Sequence, residues 1–259
     1  MHELERKNFS EIGLGTWKIG GTGSPDTSND KEHIESIRYA MSRGINFFDT
    51  AEMYGMGHAE EILGNALKGN KRDNFFVTTK AWPSSFRNLE TAIRNSLERL
   101  AMDFVDLYLI HWPDEKYNHE TLIKDMLSLK EKGYTKHIGV SNYDLDLLKE
   151  AWDFSGGQIY ANQIEVNVDK VKEFNSIRDF CKEKGIMIIA YTPLNRNHMP
   201  SSERMKKNVQ NSGLTPAQYS LVYTLSLGTY PIPKATSKVH LDMLLDAVQM
   251  YKEGKVKLF

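Results

Sequence analysis

Four side chains of unlike chemistry pose the first question: the carboxylate of Asp49, the phenol of Tyr54, the amine of Lys80 and the imidazole of His111. A free tyrosine has a pKa of about 10, so near neutrality it is a reluctant acid or base. An ammonium beside the phenol favours the phenolate and is expected to lower that pKa. Asp49 can hold the ammonium through a charge-assisted hydrogen bond, and His111 can direct a carbonyl oxygen toward the phenol. The set suits delivery of a proton to a developing alkoxide, or its removal from an alcohol. It contains no hydride source.

A second set of residues suggests one. Tyr191 has an aromatic face on which a nicotinamide ring can stack. Ser141, Asn142 and Gln163 bring hydroxyl and amide groups suited to a carboxamide. The run Pro233-Lys234-Ala235-Thr236-Ser237 joins a cation to a predicted helix N-terminus, where an anion is favoured. The Gly20–Gly23 cluster reads instead as loop, because no Gly-x-Gly-x-x-Gly follows a strand and opens a helix.

These residues need elements to bring them together. Short β-branched and aromatic runs lie at Ile12–Thr16, Phe47–Asp49, Phe76–Lys80, Val105–His111, Thr135–Ser141, Ala161–Glu165, Met187–Tyr191 and Tyr230–Ile232. Several are apolar without alternation, as strands buried on both faces of a parallel sheet should be. Between them stand helical patterns, such as the stripe Phe86, Leu89, Ile93, Leu97 and Leu100. Thr215-Pro216-Ala217-Gln218 predicts a capping box, and Asp144 and Asp30 are placed as N-caps. Strand and helix alternate eight times without a Pro/Ser-rich linker. The expectation is a single (β/α)8 TIM barrel domain over residues 1–259, with a short N-terminal hairpin before Ile12 closing its bottom. Asp49, Lys80, His111, Ser141, Gln163 and Tyr191 then fall at the C-terminal ends of different strands, where barrel chemistry resides.

Composition narrows the class further. The 259 residues carry 33 basic and 34 acidic side chains, a formal charge of −1, so no global basic field is available for nucleic acid and nothing in the balance favours a lipid surface. The single cysteine, Cys181, sits in an apolar helical pattern and reads as core. The N-terminus is charged where a signal peptide needs an apolar stretch, and no run is long enough to span a bilayer, so a cytoplasmic home is expected. No metal is expected: there is no His-Glu-x-x-His, Asp49 and His111 are too few ligands, and Lys80 would repel a divalent ion. Oligomeric state is left open.

The chain resembles an aldo-keto reductase, as a short prokaryotic-type member of that family. Carrying the likeness are Gly13-Leu14-Gly15-Thr16-Trp17, the run from Gly44 through Asp49-Thr50-Ala51-Glu52-Met53-Tyr54 to Gly55, Lys80, and Val105 through His111-Trp112. Ile138-Gly139-Val140-Ser141-Asn142-Tyr143, Asn162-Gln163-Ile164-Glu165, Tyr191-Thr192-Pro193-Leu194 and Ile232-Pro233-Lys234-Ala235 follow in family order. The resemblance implies reduction of an aldehyde or ketone by a nicotinamide dinucleotide, NADPH favoured and NADH possible, with a small carbonyl or alcohol as substrate. It implies Tyr54 as proton donor, Lys80 as its pKa modifier, Asp49 as partner of Lys80, and His111 as the group orienting the carbonyl. It further implies cofactor contacts at Thr16, Trp17, Ser141, Asn142, Gln163, Tyr191, Thr192, Leu194, Lys234, Thr236, Ser237 and His240. Trp17, Trp82, His111 and Trp112 are the implied substrate walls.

Departures from the family pattern bear on the cofactor and the pocket. His240 stands where many members have Arg, and Met243 and Leu244 stand where acidic and Asn side chains often meet adenine. Lys234 still argues for the phosphorylated cofactor. The sequence stops at Phe259, so the long C-terminal loop of many relatives is expected to be absent, leaving an open site for small aldehydes. A competing reading is a dinucleotide-binding regulatory subunit that keeps the barrel but acts through a protein partner. Such a subunit would not need Asp49, Tyr54, Lys80 and His111 together.

Overall fold

The structure is a computed structural model and describes residues 9–258. Eight parallel strands pair in sequence order: β1 (Leu14–Gly15), β2 (Phe47–Asp49), β3 (Phe76–Ala81), β4 (Val105–Ile110), β5 (Thr135–Ser141), β6 (Ile159–Glu165), β7 (Met187–Tyr191) and β8 (Tyr230–Pro231). Gly13 N donates to Pro231 O at 2.9 Å and Gly15 N to Pro233 O at 3.0 Å, which brings β8 back to β1 and closes the barrel. That seam needs glycine. A Cβ on Gly15 would lie 2.8 Å from the Ile232 carbonyl oxygen, inside contact distance.

The strands match their expected segments except at the ends. The first and last are shorter, β6 begins at Ile159, and His111 falls one residue past β4 while its N–H still donates to Ala81 O at 2.9 Å. Helices α1 (Asp30–Ser42), α2 (His58–Leu67), α3 (Leu89–Leu100), α4 (His119–Glu131), α5 (Leu145–Phe154) and α6 (Lys172–Lys184) follow successive strands. After β7 come α7 (Glu203–Ser212) and α8 (Pro216–Ser226), and α9 (Lys238–Lys252) follows β8. Asp144 caps α5 and the Thr215/Gln218 capping box forms on α8. Asp30 does not cap α1. It is the first helical residue, with Asn29 before it, and its carboxylate instead accepts from the His58 ring. The hairpin expected before Ile12 falls largely on residues 1–8, outside the described residues.

Side-chain parity along each strand builds the site. Phe47, Phe76, Leu107, Leu109, Tyr160, Ala161, Met187, Ile189 and Ile232 form one buried cluster inside the barrel. Their neighbours one step along, such as Phe48, Val77, Tyr108 and Ile110, pack outward against the helices. Because side chains alternate with period two, the next inward residue is Asp49 after Phe47, His111 after Leu109, Gln163 after Ala161 and Tyr191 after Ile189. Lys80 lies four beyond Phe76. The polar residues are therefore the top layer of the barrel interior, standing on an apolar floor. Phe9 fills the opposite end, its ring 4.6 Å from that of Phe76.

Cys181 is buried, and burial pushes its thiol up to about 12, which suits a core residue and not a nucleophile. The chain's end packs away on a satellite cluster, where Tyr219 donates its hydroxyl to Leu258 O at 2.6 Å and Val256 and Leu258 join Val209 and Val222.

Candidate active site

Lys80 is the hub. Its side chain is fully buried, and Nζ donates to Asp49 Oδ1 at 2.6 Å, to Thr50 O at 2.7 Å and to the Tyr54 hydroxyl at 3.4 Å. Gln163 Nε2 donates to the other Asp49 oxygen at 2.7 Å. Both carboxylate oxygens thus accept from nitrogen donors, the pattern of an ionised Asp49, although burial pushes the carboxyl up and the Lys80 charge and the two hydrogen bonds only partly offset this. Burial likewise works against the Lys80 ammonium. The charges of Asp49 and Tyr54 and hydrogen bonds to both overcome it, and the lysine pKa lies above its ordinary value.

The phenol does not behave as expected. Burial raises the Tyr54 pKa above 10, the ammonium of Lys80 opposes this, and the negative charge of Asp49 adds to it. Burial is the largest of these effects, and the Lys80 ammonium, although it pulls the pKa down as expected, does not outweigh it. In this structure Tyr54 is held as a neutral acid, not poised toward phenolate.

His111 lies beside it with ring centroids 5.7 Å apart. Burial, with a smaller contribution from the Lys80 charge, lowers the His111 pKa to about 2, so the imidazole is neutral across the working range. Its Nδ1 is buried without a hydrogen-bond partner among the described residues. The ring packs between Tyr54 and Trp82, whose ring centroid is 5.0 Å away at an interplanar angle of 89°.

The rim amides form a second, connected group. Asn142 is in the left-handed region with φ 63°, which its short side chain tolerates. Its Nδ2 donates to His111 O at 3.0 Å and its Oδ1 accepts from the Tyr191 hydroxyl at 2.8 Å. Ser141 Oγ donates to Gln163 O at 2.9 Å. Thr192 follows with φ 53°, and its carbonyl accepts from Asn167 Nδ2. Leu194 is half-buried.

A third group lies where β8 meets α9. Lys234 Nζ donates to Lys18 O at 3.4 Å, and burial together with the Lys18 charge holds the Lys234 pKa below the ordinary lysine value. Neither ammonium is paired with a carboxylate among the described residues. Ser237 precedes α9 without capping it by its side chain, and Thr236 and His240 are exposed beside it. Two cations, an uncapped helix N-terminus, a buried unpartnered Thr16 hydroxyl and the amide rim by Tyr191 together fit an extended dinucleotide. Trp17 and Trp112 stay 53% and 43% exposed, and the Trp82 ring packs against the His111 imidazole.

Three residues near the site were not singled out from the sequence. Lys18 joins Lys234, Met53 is exposed beside Tyr54, and Glu52 Oε1 accepts from Trp82 N at 2.6 Å. Loop lysines and glutamates are by default solvated, so no sequence signal distinguished them.

A parallel eight-stranded barrel with a buried Asp–Lys–Tyr contact and a neutral histidine at its C-terminal rim defines a carbonyl oxidoreductase scaffold. Comparison with known proteins gives the family: the Aldo/keto reductase family model matches residues 11–254, and the chain belongs to that family. Among curated relatives, the chain is 32% identical over 237 residues to methylglyoxal reductase DkgB of Yersinia pestis, covering 89% of this chain and 84% of that protein. It is 31% identical over 228 residues to a glyoxal reductase of Bacillus subtilis, covering 86% and 78%. Among solved structures, the thermostable aldo-keto reductase Tm1743 in complex with epalrestat superposes with a TM-score of 0.88 at 36% identity, covering 97% of this chain and 92% of that one. An aldo/keto reductase from Klebsiella pneumoniae in complex with NADP and acetate gives 0.82 at 28% identity, covering 93% and 86%.

Proposed function

We propose that the chain is an NADPH-dependent reductase of small aldehydes, acting as one barrel domain in the cytoplasm, with Tyr54 as proton donor. The observation that carries this reading is the contact of one buried ammonium, Lys80, with both Asp49 and the Tyr54 hydroxyl beside a neutral His111. Relatives that hold NADP or NADPH in their solved structures support the cofactor. Relatives named as methylglyoxal and glyoxal reductases support a small, activated aldehyde.

Ser141, Asn142, Gln163 and Tyr191 would hold the reacting end of a nicotinamide dinucleotide, and Lys18, Lys234 and the start of α9 its phosphates; the chemistry such a group would supply there is a hydride for the carbonyl carbon. His111, neutral, donates a hydrogen bond to the carbonyl oxygen and turns it toward Tyr54. Tyr54 gives its proton as charge develops on that oxygen, and Lys80 stabilises the phenolate left behind.

Oxidation of NADPH with a panel of small aldehydes, 2-oxoaldehydes among them, tests the reading. Cofactor binding without turnover on any carbonyl would refute it and favour a regulatory role. The raised Tyr54 pKa predicts how turnover depends on pH. Reduction needs the protonated phenol, so its rate should stay level through neutrality and fall only beyond the ordinary tyrosine range. Alcohol oxidation needs the phenolate and should rise over the same range. Paired pH profiles check the sign, and a reduction rate that falls near pH 7 would contradict it.

Replacement of Lys234 by Ala removes a cation that has no carboxylate partner. NADPH affinity should drop about tenfold, the scale of one charge-assisted hydrogen bond, while NADH affinity changes little. Fluorescence titration with both cofactors separates the two, and equal losses would remove the phosphate role.

A further inference from the structure

We propose that Glu52 is a positioning residue that sets the His111 imidazole by clamping the Trp82 wall; the proposal rests on the reductase reading above. Glu52 lies on the segment between β2 and Tyr54, two residues before the proton donor. It is half-buried, and its Oε1 accepts the Trp82 backbone N–H at 2.6 Å. The Ser85 hydroxyl works to lower the pKa of this carboxylate, against burial, which raises it on balance. One side chain from the β2 loop thereby grips the first residue of the β3 loop, whose turn is closed by Ser85 N donating to Trp82 O at 2.8 Å.

The grip matters because of what holds His111. Among the described residues no hydrogen bond reaches its Nδ1, and the ring packs against two aromatic neighbours, Tyr54 and Trp82. Tyr54 is tied to the barrel through Lys80. Trp82 lies beyond the end of β3, outside the strand ladder, and Glu52 is the acceptor that satisfies its N–H. Without the carboxylate the Trp82 N–H loses its acceptor, the backbone that carries the ring can shift, water reaches the imidazole, and the carbonyl loses its fixed approach to the phenol. An error of about 1 Å in such an approach costs on the order of a hundredfold in rate.

The test compares Glu52→Ala with Glu52→Gln, whose carboxamide oxygen still accepts from Trp82 N–H. The Ala variant should lose about ten- to a hundredfold in kcat/KM for a small aldehyde, mainly through kcat, with NADPH affinity within about twofold of the parent. The Gln variant should keep most of the activity. The readout independent of turnover is the His111 imidazole itself, followed by NMR in protein with labelled histidine and no cofactor. It should stay neutral down to pH ~5 in the parent and the Gln variant, and titrate above pH ~5 in the Ala variant as water enters. An unchanged kcat/KM together with an unchanged His111 titration in the Ala variant would overturn the proposal, as would a Gln variant as impaired as Ala. Should Glu52→Ala not fold, Trp82→Ala carries the same titration readout, and a His111 that stays neutral there also overturns it. If the parent protein reduces no carbonyl, the functional reading fails, while the titration still reports on the clamp.

Discussion

Replacing Tyr54 with Phe is expected to lower kcat for aldehyde reduction by about 10²–10⁴-fold, the usual contribution of a positioned general acid. The substitution removes one hydroxyl and keeps the ring. The ring's edge contact with His111 therefore survives, as does the position of the Lys80 ammonium over the Tyr54 ring, 5.0 Å from its centroid. The lost hydroxyl contact with Lys80 is the long one of its three, at 3.4 Å, so folding should be nearly unaffected. Cofactor affinity should stay close to that of the parent protein, because the residues assigned to the dinucleotide lie on other strands. Single-turnover kinetics with NADPH separates chemistry from binding. A Phe variant that reduces aldehydes at a near-normal rate would remove Tyr54 from the mechanism.

Replacing Lys80 with Met should damage both rate and stability. The rate falls by about a hundredfold or more, because the phenolate left after proton transfer has no compensating charge. Stability falls by about 3–5 kcal/mol, the cost of leaving one member of a buried ion pair without its partner. Asp49 would keep only the Gln163 hydrogen bond, and burial already raises its pKa.

The sign with pH follows. Burial already holds the folded-state pKa of Asp49 above its unfolded value of about 3.9 in the parent, and losing the Lys80 charge raises it further in the Met variant, so the stability lost as pH rises through the folded pKa is larger in the variant. In the parent protein the Lys80 pKa is raised, so the contribution of the ammonium is fully present through neutral pH and is lost only above the ordinary lysine range. The gap between the two proteins should therefore be wider at pH 8 than at pH 5. Urea denaturation at both values measures it, and a gap of the same size at both would contradict a buried, ionised Asp49. Adding Asp49→Asn to Lys80→Met should recover part of the loss, since no carboxylate then remains to be left unpaired.

Much of the fold was legible locally. The eight strand segments and the Thr215 cap follow from residue types a few positions apart, and the placement of Asp49, Lys80, His111, Gln163 and Tyr191 on strand ends follows from counting along each strand. Asp30 departs from its expected place as a cap because a carboxylate at a helix start satisfies the same local pattern whether it caps or stands in the first turn. Its real partner, His58, is 28 residues away.

What the sequence by itself determined is therefore the barrel, its family, and which polar residues share its upper rim, since period-two alternation and helical spacing are properties of a short stretch of chain. Only the tertiary structure decided how those groups act on one another. It placed the Lys80 ammonium nearer Asp49 than Tyr54 and buried the phenol, and that burial outweighs the ammonium and leaves Tyr54 a neutral acid with a raised pKa. It also brought Glu52 to the backbone of Trp82 and Lys18 to Lys234. Burial and field strength depend on distances between residues far apart in the chain, and those distances exist only once the barrel has closed.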